Sequence, residues 1–99
     1  MKLWLDDTRP EPSGWTRAKT ALEAISLLET DVVEEISLDY DLGSACLYGT
    51  GLGVALFIEK GAREGWLSRI KWAIHSLTPD GVYQTETALY SADRWWAKI

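Results

Sequence analysis

The sequence predicts an α/β fold: a small three-layer sandwich around a four-stranded, mainly parallel sheet, with residues 1–99 forming one domain. Three observations predict it. Short apolar runs alternate with segments of helical period, the pattern of a parallel sheet covered by helices. Three of those runs stop at polar side chains, Asp6-Asp7, Asp39-Tyr40-Asp41 and His75-Ser76. The chain has 99 residues, 46% of them hydrophobic and 25% charged, which suits one core and not two.

Lys2-Leu3-Trp4-Leu5 reads as a buried strand that ends in acids. Pro10, Pro12 and Gly14 make the following stretch a loop. Residues 15–19 could form a short second strand, but the connection is short for a parallel crossover, so either a helix has been lost there or these residues are not a true strand. Thr20 is placed as an N-cap and Glu23 completes a capping box. Leu22, Ile25 and Leu28, with Ala21 and Ala24, form the apolar face of a helix over about 21–30. Ile36-Ser37-Leu38 is a strand that again ends in acids, followed by a glycine-rich loop from Gly43 to Gly53. A helix over about 51–62 carries Val54 to Ile58, apolar nearly all round and expected to be well buried, and closes near Gly61 and Gly65. Residues 70–74 form the last strand. Thr78-Pro79 opens the last helix, on which Val82, Thr85, Leu89, Ala92 and Trp96 share one face.

Ten Lys and Arg against fifteen Asp and Glu leave a net charge of −5. So acidic a chain is poorly suited to long nucleic acid, where affinity comes from cations on phosphates. Small anionic ligands remain open to it. A lone Cys46 forms no intramolecular disulfide and offers no metal-finger spacing, which fits a cytoplasmic protein. The early acids Asp6 and Asp7 argue against a signal peptide, and no apolar run is long enough for a membrane span.

In an open parallel sheet, ligands bind outside the carboxyl ends of the strands. There the sequence gathers Asp6, Asp7, Asp39 and Asp41 beside His75. Crowded carboxylates repel unless a cation lies among them, so Asp6, Asp7 and Asp39 are candidate ligands for Mg²⁺ or Mn²⁺. His75, the only histidine, is a candidate acid–base group; Asp39 and Asp41 as neighbours would raise its pKa. Arg9 and Ser76 are candidate phosphate contacts, and Asp41 is a candidate partner for His75 or a water. Thr50, within Gly49-Thr50-Gly51, stands where backbone N–H groups can meet an anion. Each has a plainer reading: an Asp as a cap, Arg9 as a surface ion pair, the glycine segment as a flexible loop. Trp95-Trp96 reads as core and dimer surface rather than a base-stacking platform.

Leu5-Asp6-Asp7-Thr8-Arg9-Pro10, Ile36-Ser37-Leu38-Asp39-Tyr40-Asp41-Leu42-Gly43 and His75-Ser76, in this order, resemble the motifs of the cyclic-phosphate-processing receiver-like domains. The resemblance covers nearly the whole chain and implies a truncated receiver, or flavodoxin-like, fold. It implies an acidic site at Asp6, Asp7, Asp39 and Asp41, with Arg9, His75 and Ser76 facing phosphate. One position departs from the pattern, since Thr78 stands where the family usually has Asn. The implied function is phosphodiesterase-type processing of cyclic phosphates on a nucleotide signal or an RNA terminus. The alternative is a non-catalytic binder that sequesters a cyclic or linear nucleotide, as small phage proteins opposing host signalling do. A receiver phosphorylated on Asp39 is disfavoured by the missing fifth strand and its lysine. A plain interaction module without a ligand completes the readings. The expected partner is a small nucleotide or RNA end, with no membrane and a homodimer possible.

Overall fold

Strands β1 (Lys2–Leu5), β2 (Thr16–Ala18), β3 (Glu35–Leu38) and β4 (Lys71–Ile74) form one sheet in the order β2-β1-β3-β4, every pair parallel. Helices α1 (Ala21–Leu28), α2 (Gly51–Glu64) and α3 (Pro79–Ala97) follow β2, β3 and β4, and a 3₁₀ turn spans Leu47–Gly49. The computed structural model describes residues 1–44, 46–76 and 79–98, apart from the Asp80 side chain. The expected Thr78 cap lies outside the described residues. The class is therefore α/β and the sheet all-parallel, as the strand–helix alternation predicts.

The layer count differs from the three expected. α1 packs on α2 and α2 on α3, which helices on opposite faces of a sheet cannot do. All three cover the face made by Leu3, Leu5, Ala18, Ile36 and Leu38, which are fully buried. Connection handedness gives the reason. Right-handed crossovers that step from β2 to β3 and from β3 to β4 move the same way along the sheet, so their helices share a face. Only the β1–β2 step runs the other way, and residues 6–15 make it as a loop with no helix. β2 is nonetheless a true strand, paired to β1 with Leu3 opposite Thr16 and Leu5 opposite Ala18. The second sheet face carries Trp4, Ser37 and Ala73 and is left without a helix.

Three details of the helices depart from the expected pattern. On α1 the buried residues are Ala21, Ala24 and Leu28, while Leu22 is 74% exposed. Its Thr20 cap accepts from the Glu23 N–H, but the Glu23 carboxylate accepts from the Lys19 N–H, one residue before the cap. On α2, Val54, Ala55 and Ile58 are buried but Leu56 is exposed. This helix ends at Gly65, whose φ of 84° suits glycine, while Gly61 lies inside the helix under Leu67 and Trp66. On α3, Thr85, Leu89, Ala92 and Trp96 are buried as the spacing predicts, and Val82 is half-buried. The Trp96 indole N–H donates to the Leu67 carbonyl at 2.8 Å and joins α3 to the segment before β4.

Gly81 shows why α3 lies where it does. A Cβ there would fall on the Tyr40 ring, so only glycine lets the helix reach the segment that follows Asp39. Gly81→Ala should destabilise the domain by about 1–3 kcal/mol, the usual cost of overpacking, measured by urea unfolding.

Candidate functional site

Backbone pairing places the site. Each ladder continues one residue past its strand. The Asp6 N–H donates to the Ala18 carbonyl at 3.0 Å, the Asp39 N–H to Leu5 at 2.9 Å, and the His75 N–H to Leu38 at 3.0 Å. Three polar residues are thus fixed in register at the carboxyl edge of the sheet. The strand order reverses beside β1, because β2 lies on one side of it and β3 and β4 on the other. That reversal makes the crevice between the ends of β1 and β3 the expected ligand position.

Asp6 is the hub. It is fully buried. Its Oδ1 accepts from the backbone N–H groups of Thr8 and Arg9, both at 2.9 Å, and from the Thr8 hydroxyl at 3.3 Å. Its Oδ2 faces the Arg9 Nε and the His75 Nε2, each at 3.0 Å. Burial pushes this carboxyl pKa upward, but the Arg9 and Thr8 amides, the His75 bond and the Arg9 charge together hold it below its ordinary value.

Arg9 spans all three strand ends. Besides Asp6 it donates to the His75 carbonyl at 3.1 Å and lies 3.4 Å from Asp39 Oδ2, with its side chain 43% exposed. Its own carbonyl accepts from the Trp4 indole N–H at 3.2 Å. The guanidinium is therefore an internal counter-ion to two buried carboxylates and still reaches solvent.

His75 has both ring nitrogens engaged. Nε2 meets Asp6, and Nδ1 lies 2.7 Å from the Ser37 hydroxyl. An ionised Asp6 calls for Nε2–H, which leaves Nδ1 to accept from Ser37. The ring also stacks on Trp4, centroids 3.9 Å apart and planes at 1°. Its pKa is lowered, not raised as the sequence suggested. Burial is the main cause and the Arg9 charge adds to it; the Asp6 bond, the Asp6 charge and the Asp39 charge oppose them and are outweighed. At neutral pH this ring is a neutral imidazole held on three sides.

Ser37 was not among the sequence candidates. Its signal was strand parity: Trp4, Asp6, Ser37 and His75 all point to the helix-free face, because side chains alternate along each strand and parallel register aligns them.

Asp7 and Asp39 complete the acidic group. One carboxylate oxygen from each of Asp6, Asp7 and Asp39 lies within 4.8 Å of the others. Asp39 is 5% exposed and has Arg9 as its ion partner. Asp7 is half-buried and has no hydrogen-bond or ion partner among the described residues. Asp41 stands apart: it is exposed, and its Oδ1 accepts from the Gly43 N–H at 2.9 Å, so it closes its own turn and does not orient His75. Thr50 is 6% exposed and donates to the Leu47 carbonyl at 2.6 Å, holding the 3₁₀ turn rather than offering a hydroxyl outward. Ser76 is half-buried and lines a shallow depression with Pro79, Val82 and Tyr83.

The pattern of cyclic-phosphate processing receiver domains matches residues 1–91, from β1 well into α3. The chain belongs to that family. The match takes in every site residue just described. No curated protein and no solved structure matches the chain. Among the described residues this receiver-type domain has four strands and three helices, and no helix there is long and apolar enough to cross a membrane.

Proposed function

We propose that this domain binds a cyclic phosphate ester at the crevice between β1 and β3 and opens its ring by metal-assisted hydrolysis. The observation that carries this reading is the gathering of Asp6, Asp7 and Asp39 within 4.8 Å, with Arg9 bridging two of them. The donor set suits a hard divalent cation, Mg²⁺ or Mn²⁺. Asp7 has unused lone pairs and Asp39 a single ion partner, so these two would hold the ion directly. Asp6 already accepts from five donors and would support it from behind. When bound, the ion supplies positive charge at the phosphoryl group.

The chain's own groups do the rest. Arg9 is exposed enough to turn a guanidinium N–H toward a phosphoryl oxygen and offset the charge that grows there. A water oxygen bonds to phosphorus, one ring P–O bond breaks, and the departing alkoxide takes up a proton while the water gives one up. The water's proton passes to solvent, since Asp41 stands apart from the acidic group and His75 has both ring nitrogens engaged. His75 acts through Asp6 as a positioning residue.

The second reading, a binder that sequesters a nucleotide without turnover, is favoured by one observation: neither nitrogen of His75 is left to donate to a leaving group. A panel of cyclic nucleotides and 2′,3′-cyclic-phosphate RNA, incubated with and without Mg²⁺ and followed by chromatography, separates the two. Ring-opened product that requires the metal supports hydrolysis. A ligand recovered intact, with a raised melting temperature, supports sequestration. Asp7→Asn should abolish both metal-dependent stabilisation and turnover while leaving the melting temperature of the metal-free protein within about 2 °C, since a half-buried group without partners contributes little to the fold.

A further inference from the structure

One flank of α3 is exposed along most of its length. Tyr83, Glu86, Tyr90, Arg94 and Ala97 recur at spacings of 3, 4, 4 and 3, which is a single stripe along the helix. The opposite stripe, Thr85, Leu89, Ala92 and Trp96, is the one that packs inward. Tyr83 is 74% and Tyr90 53% exposed. Large apolar side chains exposed in line mark an interaction surface. The Tyr90 ring is not loose: it stands edge-on to Trp72 with centroids 4.9 Å apart, and Trp72 donates to Asp93 at 3.1 Å. Beside it, β4 is a sheet edge paired only with β3.

The charges on this flank are unsatisfied. Arg94 joins Arg69 and Lys71 around a groove between β4 and the C-terminal half of α3. Among the described residues none of these cations has a carboxylate within ion-pair distance, and Glu86 has no cation.

The stripe reads alike from both ends. Glu86 lies four residues before Tyr90 and Arg94 four after it; Tyr83 lies seven before and Ala97 seven after. An isologous interface requires this kind of pattern, because residue i meets j while j meets i. We infer that two copies of this chain associate through α3, antiparallel about a two-fold axis at Tyr90. Glu86 then meets the partner's Arg94 on each side of the axis. The large Tyr83 seats on the small Ala97 of the partner subunit, and the two Tyr90 rings meet at the centre. A parallel arrangement would set Glu86 against the partner's Glu86 and Arg94 against the partner's Arg94, so the charges select the antiparallel one.

Sedimentation equilibrium over a concentration series tests this on the whole chain. The wild type should dimerise. Glu86→Arg and Arg94→Glu should each weaken the dimer by roughly tenfold or more, because each replaces both cross-axis pairs with like charges. The double variant E86R/R94E should recover the dimer, and so should an equimolar mixture of the two single variants, since both restore opposite charges across the axis. Circular dichroism melts confirm that these surface changes leave the fold intact. A wild type that stays monomeric to about 100 μM, a dimer indifferent to the single reversals, or no recovery in the double variant would each overturn the proposal.

Discussion

Asp6→Ala should leave the domain largely unfolded near body temperature. The carboxylate is fully buried and accepts from Thr8, Arg9 and His75 through five donor atoms. Removing it strands two backbone N–H groups and deprives a half-buried guanidinium of its nearest counter-charge. Breaking a buried charge pair in this way costs about 3–5 kcal/mol. In a domain of this size each kcal/mol moves the melting temperature by about 4–8 °C, so a fall of roughly 15–30 °C is expected. Asp6→Asn keeps one oxygen for the Thr8 and Arg9 amides and should fall about half as far. Thermal melts by circular dichroism check both. An Asp6→Ala protein that melts within a few degrees of wild type would remove Asp6 from the centre of the site.

The second large effect is on pH dependence, and the chain's single histidine makes it clean to measure. The folded pKa of His75 lies below the ordinary 6.5. Below pH 6.5 the unfolded chain therefore takes up a proton that the folded chain refuses, and stability falls as pH drops toward the folded value. Asp6 adds to this at lower pH. Its folded pKa lies below 3.8, so its contribution is present above that value and is lost as pH falls through the folded one. Both slopes have the same sign: acid weakens the fold. Wild-type melting temperature should decline between pH 6.5 and 5, before free carboxylates titrate. His75→Ala, which loses the Trp4 stack and the bonds to Ser37 and Asp6, should be less stable by about 2–4 kcal/mol and show no such decline. An unchanged slope in that variant would mean that the proton goes elsewhere.

Local pattern made the strands, the inward stripe of α3 and the acids at the strand ends legible in the sequence. Leu3 and Leu5 alternate with Trp4, and Asp6 and Asp39 follow the last buried leucines directly, so their convergence needed only parallel pairing. What could not be read depended on relations between distant elements. The helix-free face follows from the direction of each crossover, which no single segment encodes. Leu22 fits the helical period and so reads as inward, yet small Ala21 and Ala24 are the buried residues, so the helix is turned about its axis. His75 looked like a charged acid–base group beside acids. Its partners are instead Asp6, Ser37 and the Trp4 ring, and the burial they impose outweighs the nearby carboxylates.

The face that carries Trp4, Ser37 and Ala73 also sets where this chain can grow. Any segment inserted within residues 10–14 of the β1–β2 loop emerges on that side, because a right-handed connection from β1 to β2 passes there. An added helix of moderate length would find a mostly polar floor, with Trp4 and Ala73 among Lys2, Arg17, Glu35, Ser37 and Lys71, and an existing chain reversal at Gly14, whose φ of 87° already turns the backbone. Arg9 precedes the insertion point and Arg17 follows it, each tied to Asp6 by its own hydrogen bond. The domain is therefore open to lengthening at one place, with both ends of the new segment already anchored.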